Sequence, residues 1–322
     1  MALYLTYDDQ SMQDGLGAQA LRITGIYALA KQFRLRYLHT PISNAIEDIA
    51  HNLGGGTSLA TIISEVNSFF DFPTDVLKTS RVKHIYVRSL SRRRLATLII
   101  QGVLYPGSLI VHILLPMGVL DKLPHAYGHA SKFLRAKNRL MLDDSSQFEL
   151  LAHVRRGYDE KYANLKYARG RHLPFSYFSD SIAAACVTFN VPAASKIHIH
   201  TDLVNQTQTW KPSQEGIIDG FRQNTGKLDA SEIELEAYDL ASIIDCPKNF
   251  TLEIHYCDPL MKTFLEMCTA KVFIQGKSAL SYLAGIVNLN KVVFPVNQSH
   301  AKLPHWYSST DLGVEIRESL LG

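Results

Sequence analysis

Three segments of this chain carry residue types that suit a phosphorylated ligand. The middle one ends a predicted strand with His153, Arg155 and Arg156. Along a strand His153 and Arg155 project to the same side. Arginine holds phosphate oxygens in a bidentate geometry, which suits a diphosphate leaving group. An ion pair with Asp159 or Glu160 is the purely structural alternative for these arginines.

The first segment lies between the opening strand and the first helix, where Gly15 and Gly17 precede Gln19. Glycines let the backbone approach a ligand, and the helix N-terminus offers N–H groups. With Ala20 the spacing also fits a dinucleotide fingerprint, G-x-G-x-x-A. However, seven residues separate the strand from Gly15, and no acidic residue ends the next strand. A strand-to-helix turn that requires glycine is the third interpretation.

The third segment runs from a short apolar strand into Gln275, Gly276 and Ser278, with Ser281 one helical turn later. Glycine and serine at the start of a helix form a good anion cradle. The G-x-x-x-x-G-K spacing of a P-loop is missing. A serine in this place is also a common helix cap, which is the structural alternative.

Together these segments resemble the superfamily of α-1,2-, α-1,6- and protein O-fucosyltransferases. The run from His153 to Gly157 looks like its H-x-R-R-G-D signature, and the run from Gly15 to Gln19 is similar to its G-L-G-N-Q segment. The third segment is similar to the family's strand followed by S-S-F-S and a helix. The order along the chain also fits, and the resemblance covers the framework of nearly the whole chain.

The chain departs from the family pattern at several places. Ala18 stands where the family usually has asparagine, and Tyr158 stands where the signature has aspartate. Gln275, Gly276 and Lys277 replace part of the serine run. These changes concern the identity of the sugar more than the architecture, so another GDP-linked or UDP-linked sugar stays open.

The resemblance implies an α/β protein of the GT-B class, with two Rossmann-like domains facing across a cleft. It implies an inverting glycosyltransferase that moves fucose from GDP-fucose to a glycan hydroxyl, without a metal or other cofactor. Arg155 would bind the donor diphosphate, His153 the nucleotide side, and Arg156 the loop or the leaving group. Ser278 and Ser281 would cap the phosphates. The remaining donor-binding candidates are Gly15, Gly17, Gln19 and Gln275.

Asp14 and His39 are candidates for the general base, because both lie at strand or loop ends of the N-terminal half. The acceptor is expected to be a glycan or a lipid-linked glycan. Two other functions stay open: an NAD-dependent oxidoreductase that uses the glycine loop, and a nucleotide-sugar-binding or glycan-binding protein without turnover.

Composition limits the remaining classes of function. The formal net charge of +3 over 322 residues is too small to indicate nucleic acid as the main partner. The four cysteines form no C-x-x-C pair and no spacing with histidine that suits zinc, and no D-x-D stretch ends a strand, so no metal site is predicted. The opening strand lacks the regions of a secretory signal, so a cytoplasmic location is expected.

Basic residues gather around Arg88 and Arg92–Arg94, and again from Lys132 to Arg139. They are either solvated helix faces or a surface for anionic lipid, which would allow peripheral membrane association. The sequence does not determine the oligomeric state.

Chain length and alternating strands and helices predict two domains, residues 1–145 and residues 146–322. The resemblance implies that the first is the acceptor-side domain and that the second holds the nucleotide-sugar donor. The predicted strands are Leu3–Tyr7, Leu35–His39, Ile85–Val87, Leu98–Leu104, Leu109–Leu115, Phe148–Val154, Lys196–His200, Phe250–Ile254, Val272–Ile274 and Val292–Phe294. The predicted helices are Ala18–Phe33, Phe175–Phe189, Asp258–Cys268 and Ala279–Val287.

Overall fold

The computed structural model describes residues 2–8, 15–45, 58–77, 79–155, 173–202, 239–256, 258–296 and 298–314. These residues form two compact units. The first unit draws on Met1–Ile46, Ile63–Leu140 and Ser299–Pro304, and the second on Glu47–Ile62, Met141–Gln298 and His305–Gly322.

The first part of the chain alternates strands and helices. Its elements are β1 (Ala2–Tyr7), α1 (Leu16–Gln32), β2 (Arg36–Tyr37), α2 (Leu59–Phe69), β3 (Val82–Ser89), α3 (Arg92–Leu104), β4 (Ser108–Leu115), α4 (Met117–Leu120) and α5 (Tyr127–Lys137). The four strands form a parallel sheet in the order β2-β1-β4-β3.

The rest of the chain builds a second parallel sheet, in the order β10-β9-β8-β5-β6-β7. Its elements are α6 (Arg139–Asp143), β5 (Leu150–Val154), α7 (Phe175–Thr188), β6 (Lys196–Thr201), α8 (Leu240–Ile243), β7 (Thr251–Tyr256), α9 (Leu260–Thr269), β8 (Val272–Ile274), α10 (Ala279–Val287), β9 (Lys291–Phe294) and β10 (Tyr307–Ser308). The predicted α/β class with two parallel sheets is therefore confirmed.

Helices pack against each sheet. In the first unit α1 packs on β1 and α5, and it is buried nearly all round, as expected for a core helix. In the second unit one face of the sheet packs on α7, through residues such as Ala152, Ile199 and Ile274. The alternate residues of β5 and β6, including His153 and His200, lie on the other face.

One predicted strand is wrong, because Leu98–Leu104 lies in helix α3. The side chain of Ser91 caps this helix by accepting a hydrogen bond from the N–H of Arg94 at 3.2 Å. Only a narrow stripe of α3 is buried: Leu95, Leu98 and Gly102. The apolar run looked like a core strand because Ile100, Val103 and Leu104, which are exposed, add to its hydrophobicity.

The short strand β2 covers only Arg36–Tyr37 of the predicted Leu35–His39. The other predicted strands and helices are confirmed with shifts of a few residues at their ends, and β8 and α10 match their predicted bounds. None of the helices in the described ranges has the length and apolarity that a membrane crossing requires.

Candidate functional site

The strand order of the second sheet marks a place for a ligand. Counted from β5 in chain order, the sheet reads 3-2-1-4-5-6, which is the Rossmann arrangement, and the order reverses between β5 and β8. Open parallel sheets bind ligands outside the carboxyl ends of the strands at such a reversal. The middle and third sequence segments both leave the sheet here, since His153 and Arg155 end β5 and Gln275 follows β8.

A close backbone approach joins the two segments at Gly276. A Cβ added at this residue would lie 2.3 Å from the carbonyl oxygen of His153. Cβ atoms do not approach backbone oxygens so closely. Glycine at this position therefore lets the backbone after β8 lie against the end of β5.

A chain of polar side chains connects β5 to the start of α10. The ring of His153 is buried, and its Nδ1 contacts Oγ of Ser281. Ser278 is the N-cap of α10, since its Oγ accepts the N–H of Ser281 at 3.0 Å and lies 3.3 Å from the Ser281 hydroxyl. The two serines thus hold the His153 ring and the first turn of α10 together. We call His153, Arg155, Gly276, Ser278 and Ser281 the switch-point site.

Arg155 has an acidic partner that the sequence analysis missed. Its Nε lies 3.9 Å from Oδ2 of Asp202, and the two side chains are 26% and 11% exposed. Asp202 directly follows β6, which is the neighbour of β5 in the sheet. An acidic residue after a predicted strand was the available signal, but the sequence does not tell which strands are neighbours. The alternative partners Asp159 and Glu160 lie outside the described residues, as does Arg156.

Gln275 has a different environment from the rest of the site. Its side chain is fully buried, and a Cβ at Gly285 would lie 2.0 Å from its Nε2. The amide thus packs against α10, with Trp306 beside the same glycine. Among the described residues neither amide atom of Gln275 has a hydrogen-bond partner. The side chain thus lies in the interior of the unit, and Gln275 is not counted in the switch-point site.

The first sequence segment has mainly structural contacts. Gly15 precedes α1 as its N-cap with φ −62°, and no atom lies within 4 Å of a Cβ built there, so this backbone does not require glycine. Gly17 lies in the first turn of α1. The amide of Gln19 is buried, and it donates to the carbonyl oxygen of Asn44 at 2.8 Å. Asp14 lies outside the described residues.

His39 follows β2 at the carboxyl edge of the first sheet. Its Nδ1 lies 3.1 Å from the hydroxyl of Tyr37, and its backbone N–H donates to Oγ1 of Thr74 at 3.1 Å. Burial is the main cause that lowers the pKa of His39 below its usual value, so the ring is neutral at pH 7. A neutral imidazole can accept a proton, which is what a general base must do.

Comparison with known proteins finds no matching family profile and no matching curated protein. Among solved structures, E. coli heptosyltransferase WaaC with ADP-2-deoxy-2-fluoro heptose aligns at a TM-score of 0.36 and 10% identity, covering 96% of this chain and 92% of that one. POFUT1 in complex with GDP-fucose aligns at 0.39 and 10% identity, covering 95% and 97%. A family 9 glycosyl transferase from Veillonella parvula aligns at 0.30 and 10% identity, covering 96% and 83%. These TM-scores are all below 0.5, so the functional argument depends on the residues of the site.

Proposed function

We propose that this protein is a glycosyltransferase that binds the diphosphate of a nucleotide sugar at the switch-point site. The observation that carries the proposal is that the backbone at Arg155 lies against Gly276, two residues before the Ser278 cap of α10, at the reversal between β5 and β8. Two sequence segments that resemble fucosyltransferase motifs therefore belong to one place in the fold. On that resemblance the preferred donor is GDP-fucose.

The charges at this place suit a diphosphate. The guanidinium of Arg155 carries five N–H donors in a planar fork, so a contact of Asp202 with its Nε is compatible with binding phosphate oxygens. The nine-residue helix α10 directs the positive end of its dipole to the same edge of the sheet. Ser278 and Ser281 then act mainly as positioning residues, because their hydroxyls hold the helix start and His153.

The proposed reaction is an inverting displacement. The acceptor oxygen attacks the anomeric carbon while the bond from that carbon to the diphosphate oxygen breaks, and the acceptor proton passes to a base. Negative charge builds on the leaving diphosphate, where Arg155 and the helix N-terminus stabilise it. His39 is the described candidate for the base, since its lowered pKa keeps it neutral. Asp14 remains the second candidate.

The proposal includes a GT-B arrangement, with the donor domain in residues 146–322 and the acceptor side in residues 1–145. The transfer itself would need no metal, and the acceptor would be a glycan or a lipid-linked glycan. A cytoplasmic location is part of the same proposal.

A lipid-linked acceptor would place the enzyme at a membrane surface, and α3 offers a suitable face. Arg92 and Arg93 lie exposed at its start, and Ile100, Val103 and Leu104 are 60%, 62% and 73% exposed towards its end. Apolar side chains beside arginines are typical of surfaces that lie on anionic lipid. We propose peripheral membrane association through this face.

The experiment that tests the donor site is thermal stabilisation by GDP, UDP, CMP, dTDP and NADH. A nucleotide at about a hundred times its dissociation constant adds roughly 2.7 kcal/mol to the free energy of unfolding. We expect GDP to stabilise the wild type and not Arg155→Ala. Lys271→Ala is the matched control, because this exposed basic residue pairs with Glu149 at the opposite, amino end of the same sheet; it should respond like the wild type.

Each other outcome has a defined meaning. Stabilisation by UDP alone would support the diphosphate site but show that the donor is a UDP-sugar instead of GDP-fucose. Stabilisation by NADH alone would replace the glycosyltransferase with an oxidoreductase. GDP binding without turnover of GDP-fucose in the presence of glycan acceptors would leave a nucleotide-sugar-binding protein, and an unchanged GDP response in Arg155→Ala would remove the switch-point site from the proposal.

A further inference from the structure

Beside the switch-point site, the second unit holds a group of titratable side chains that the proposed function does not use. We call His198, His200, His255, Asp258 and Glu266 the histidine cluster. His198 and His200 lie on β6, His255 on β7, Asp258 just before α9 and Glu266 within α9. The parallel register aligns His200 with His255, and it also aligns His153 of β5 with His200. Three imidazoles thus stand side by side on one face of the sheet.

Three of these residues, His200, His255 and Asp258, each place one possible metal-ligand atom close to the others. Nδ1 of His255 lies 3.5 Å from Oδ2 of Asp258, and Nδ1 of His200 lies 3.9 Å from the same oxygen. One ligand atom from each residue lies within 4.8 Å of the others. Tetrahedral ligands on zinc, at about 2.0–2.1 Å from the ion, are about 3.3 Å apart. The two distances to Asp258, 3.5 and 3.9 Å, are therefore close to the spacing of two ligands on one ion.

We propose that His200, His255 and Asp258 bind a divalent transition metal ion, with zinc as the first candidate. Two imidazoles and one carboxylate form a ligand set that zinc accepts, and a water would complete the tetrahedron. The inference is independent of the proposed glycosyltransferase function.

The residues around the three ligands support a metal site. Metal-binding histidines characteristically present their second ring nitrogen to a carboxylate or another acceptor. Nε2 of His200 lies 2.7 Å from Oε2 of Glu266, and Nε2 of His255 lies 2.9 Å from Nδ1 of His198. Phe148 stacks on His198 with 3.6 Å between the ring centroids, which fixes that ring.

His200 itself needs a partner. Its side chain is 1% exposed, and Glu266 beside it is 4% exposed. Although Nε2 of His200 lies close to Glu266, neither nitrogen of His200 meets the geometry of a hydrogen bond with a described residue. Buried polar groups are nearly always satisfied. An ion at Nδ1 would give that nitrogen a partner, while Nε2 lies 2.7 Å from Oε2 of Glu266.

A second grouping, His198 with Glu253 and His255, is less suitable. The nitrogens of His198 and His255 are 2.9 Å apart, which is a hydrogen-bond distance and shorter than the separation of two ligands on one ion. The inner set of His200, His255 and Asp258 is therefore preferred. Lys262 contacts Asp258 at 2.7 Å, and its half-exposed side chain can swing into solvent when an ion binds.

The expected role of the ion is structural. It would join β6, the edge strand β7 and the segment that begins α9, three elements that meet beside the switch-point site. Such cross-links are hard to detect in sequence, because the two histidines are supplied by different strands.

The test is titration of chelator-treated protein with Co²⁺ and Zn²⁺, followed by calorimetry and by the visible absorption of Co²⁺. We expect one ion per chain and the intense bands of tetrahedral Co²⁺. Asp258→Asn and His255→Gln should weaken binding at least about a hundredfold, and His198→Gln about tenfold to a hundredfold as an outer partner. Asp258 is partly exposed, so Asp258→Asn keeps the test valid if a histidine variant fails to fold.

The matched control is His84→Gln. His84 and His112 on β3 and β4 also have nitrogens 2.9 Å apart and ring centroids 5.2 Å apart, like His198 and His255. The control should bind the ion like the wild type. The proposal would be overturned by a wild type that binds no Co²⁺, by equal affinity in Asp258→Asn and wild type, or by loss of binding in His84→Gln.

Discussion

Replacement of Gly276 by alanine is the sharpest test of how the switch-point site is built. The added Cβ would lie 2.3 Å from the carbonyl oxygen of His153, whereas ordinary contact begins near 3.4 Å. The opposing atom belongs to the backbone, so it cannot rotate away like a side chain. The segment after β8 must therefore move by about 1 Å relative to the end of β5. Forced overpacking of this kind typically lowers the free energy of unfolding by about 1–3 kcal/mol.

The same displacement should reach the ligand. It moves the start of α10, with the Ser278 cap, relative to Arg155. A misplacement of about 1 Å in a positioned site can reduce function by about a hundredfold. We therefore expect Gly276→Ala to lose most of its stabilisation by GDP, in addition to its loss of stability in urea denaturation.

Gly128→Ala is the matched control for this substitution. Gly128 lies exposed in α5, and no atom lies within 4 Å of a Cβ built there. Alanine in a helix is more stable than glycine by roughly 0.5–1 kcal/mol, so this variant should be slightly stabilised. Wild-type stability and a wild-type GDP response in Gly276→Ala would refute the close approach. Lost stability with an unchanged GDP response would place the nucleotide elsewhere.

Three further predictions follow from single contacts. Ser281→Ala removes the hydroxyl that His153 contacts in the buried interior, and urea denaturation should show a free energy of unfolding lower by about 1–2 kcal/mol. The control Ser242→Ala, at an exposed position, should change this free energy by less than about 0.5 kcal/mol. Burial lowers the pKa of His300 from 6.5 to about 4, so the unfolded chain takes up a proton first and the free energy of unfolding falls between pH 6.5 and pH 4. His300→Gln should reduce this fall by about 2–3 kcal/mol. An equal fall in the wild type and the variant would contradict the lowered pKa of His300. Ile100→Ser should reduce cosedimentation with phosphatidylserine vesicles severalfold and leave thermal stabilisation by GDP unchanged. Undiminished cosedimentation would contradict membrane association through α3.

The sequence alone determined the local elements and the chemistry that they could carry. The bounds of β8 and α10 follow from a short β-branched and aromatic run, then a serine cap before an apolar helical segment, all within a few residues of one another. The same local reasoning failed at Leu98–Leu104, because an apolar run gives no sign of which of its side chains stay exposed when the helix packs.

Only the tertiary structure decided which elements are neighbours. His153 and Ser281 are 128 residues apart in the chain, and they meet because β8 pairs with β5. Asp202 reaches Arg155, and His200 stands beside His255, because β6 lies between β5 and β7 in a fixed register. Strand order and register result from packing the whole sheet between helices, which a local pattern of residues does not specify. The residues of the candidate diphosphate site could thus be predicted from sequence motifs, whereas those of the candidate metal site could be identified only from the tertiary structure.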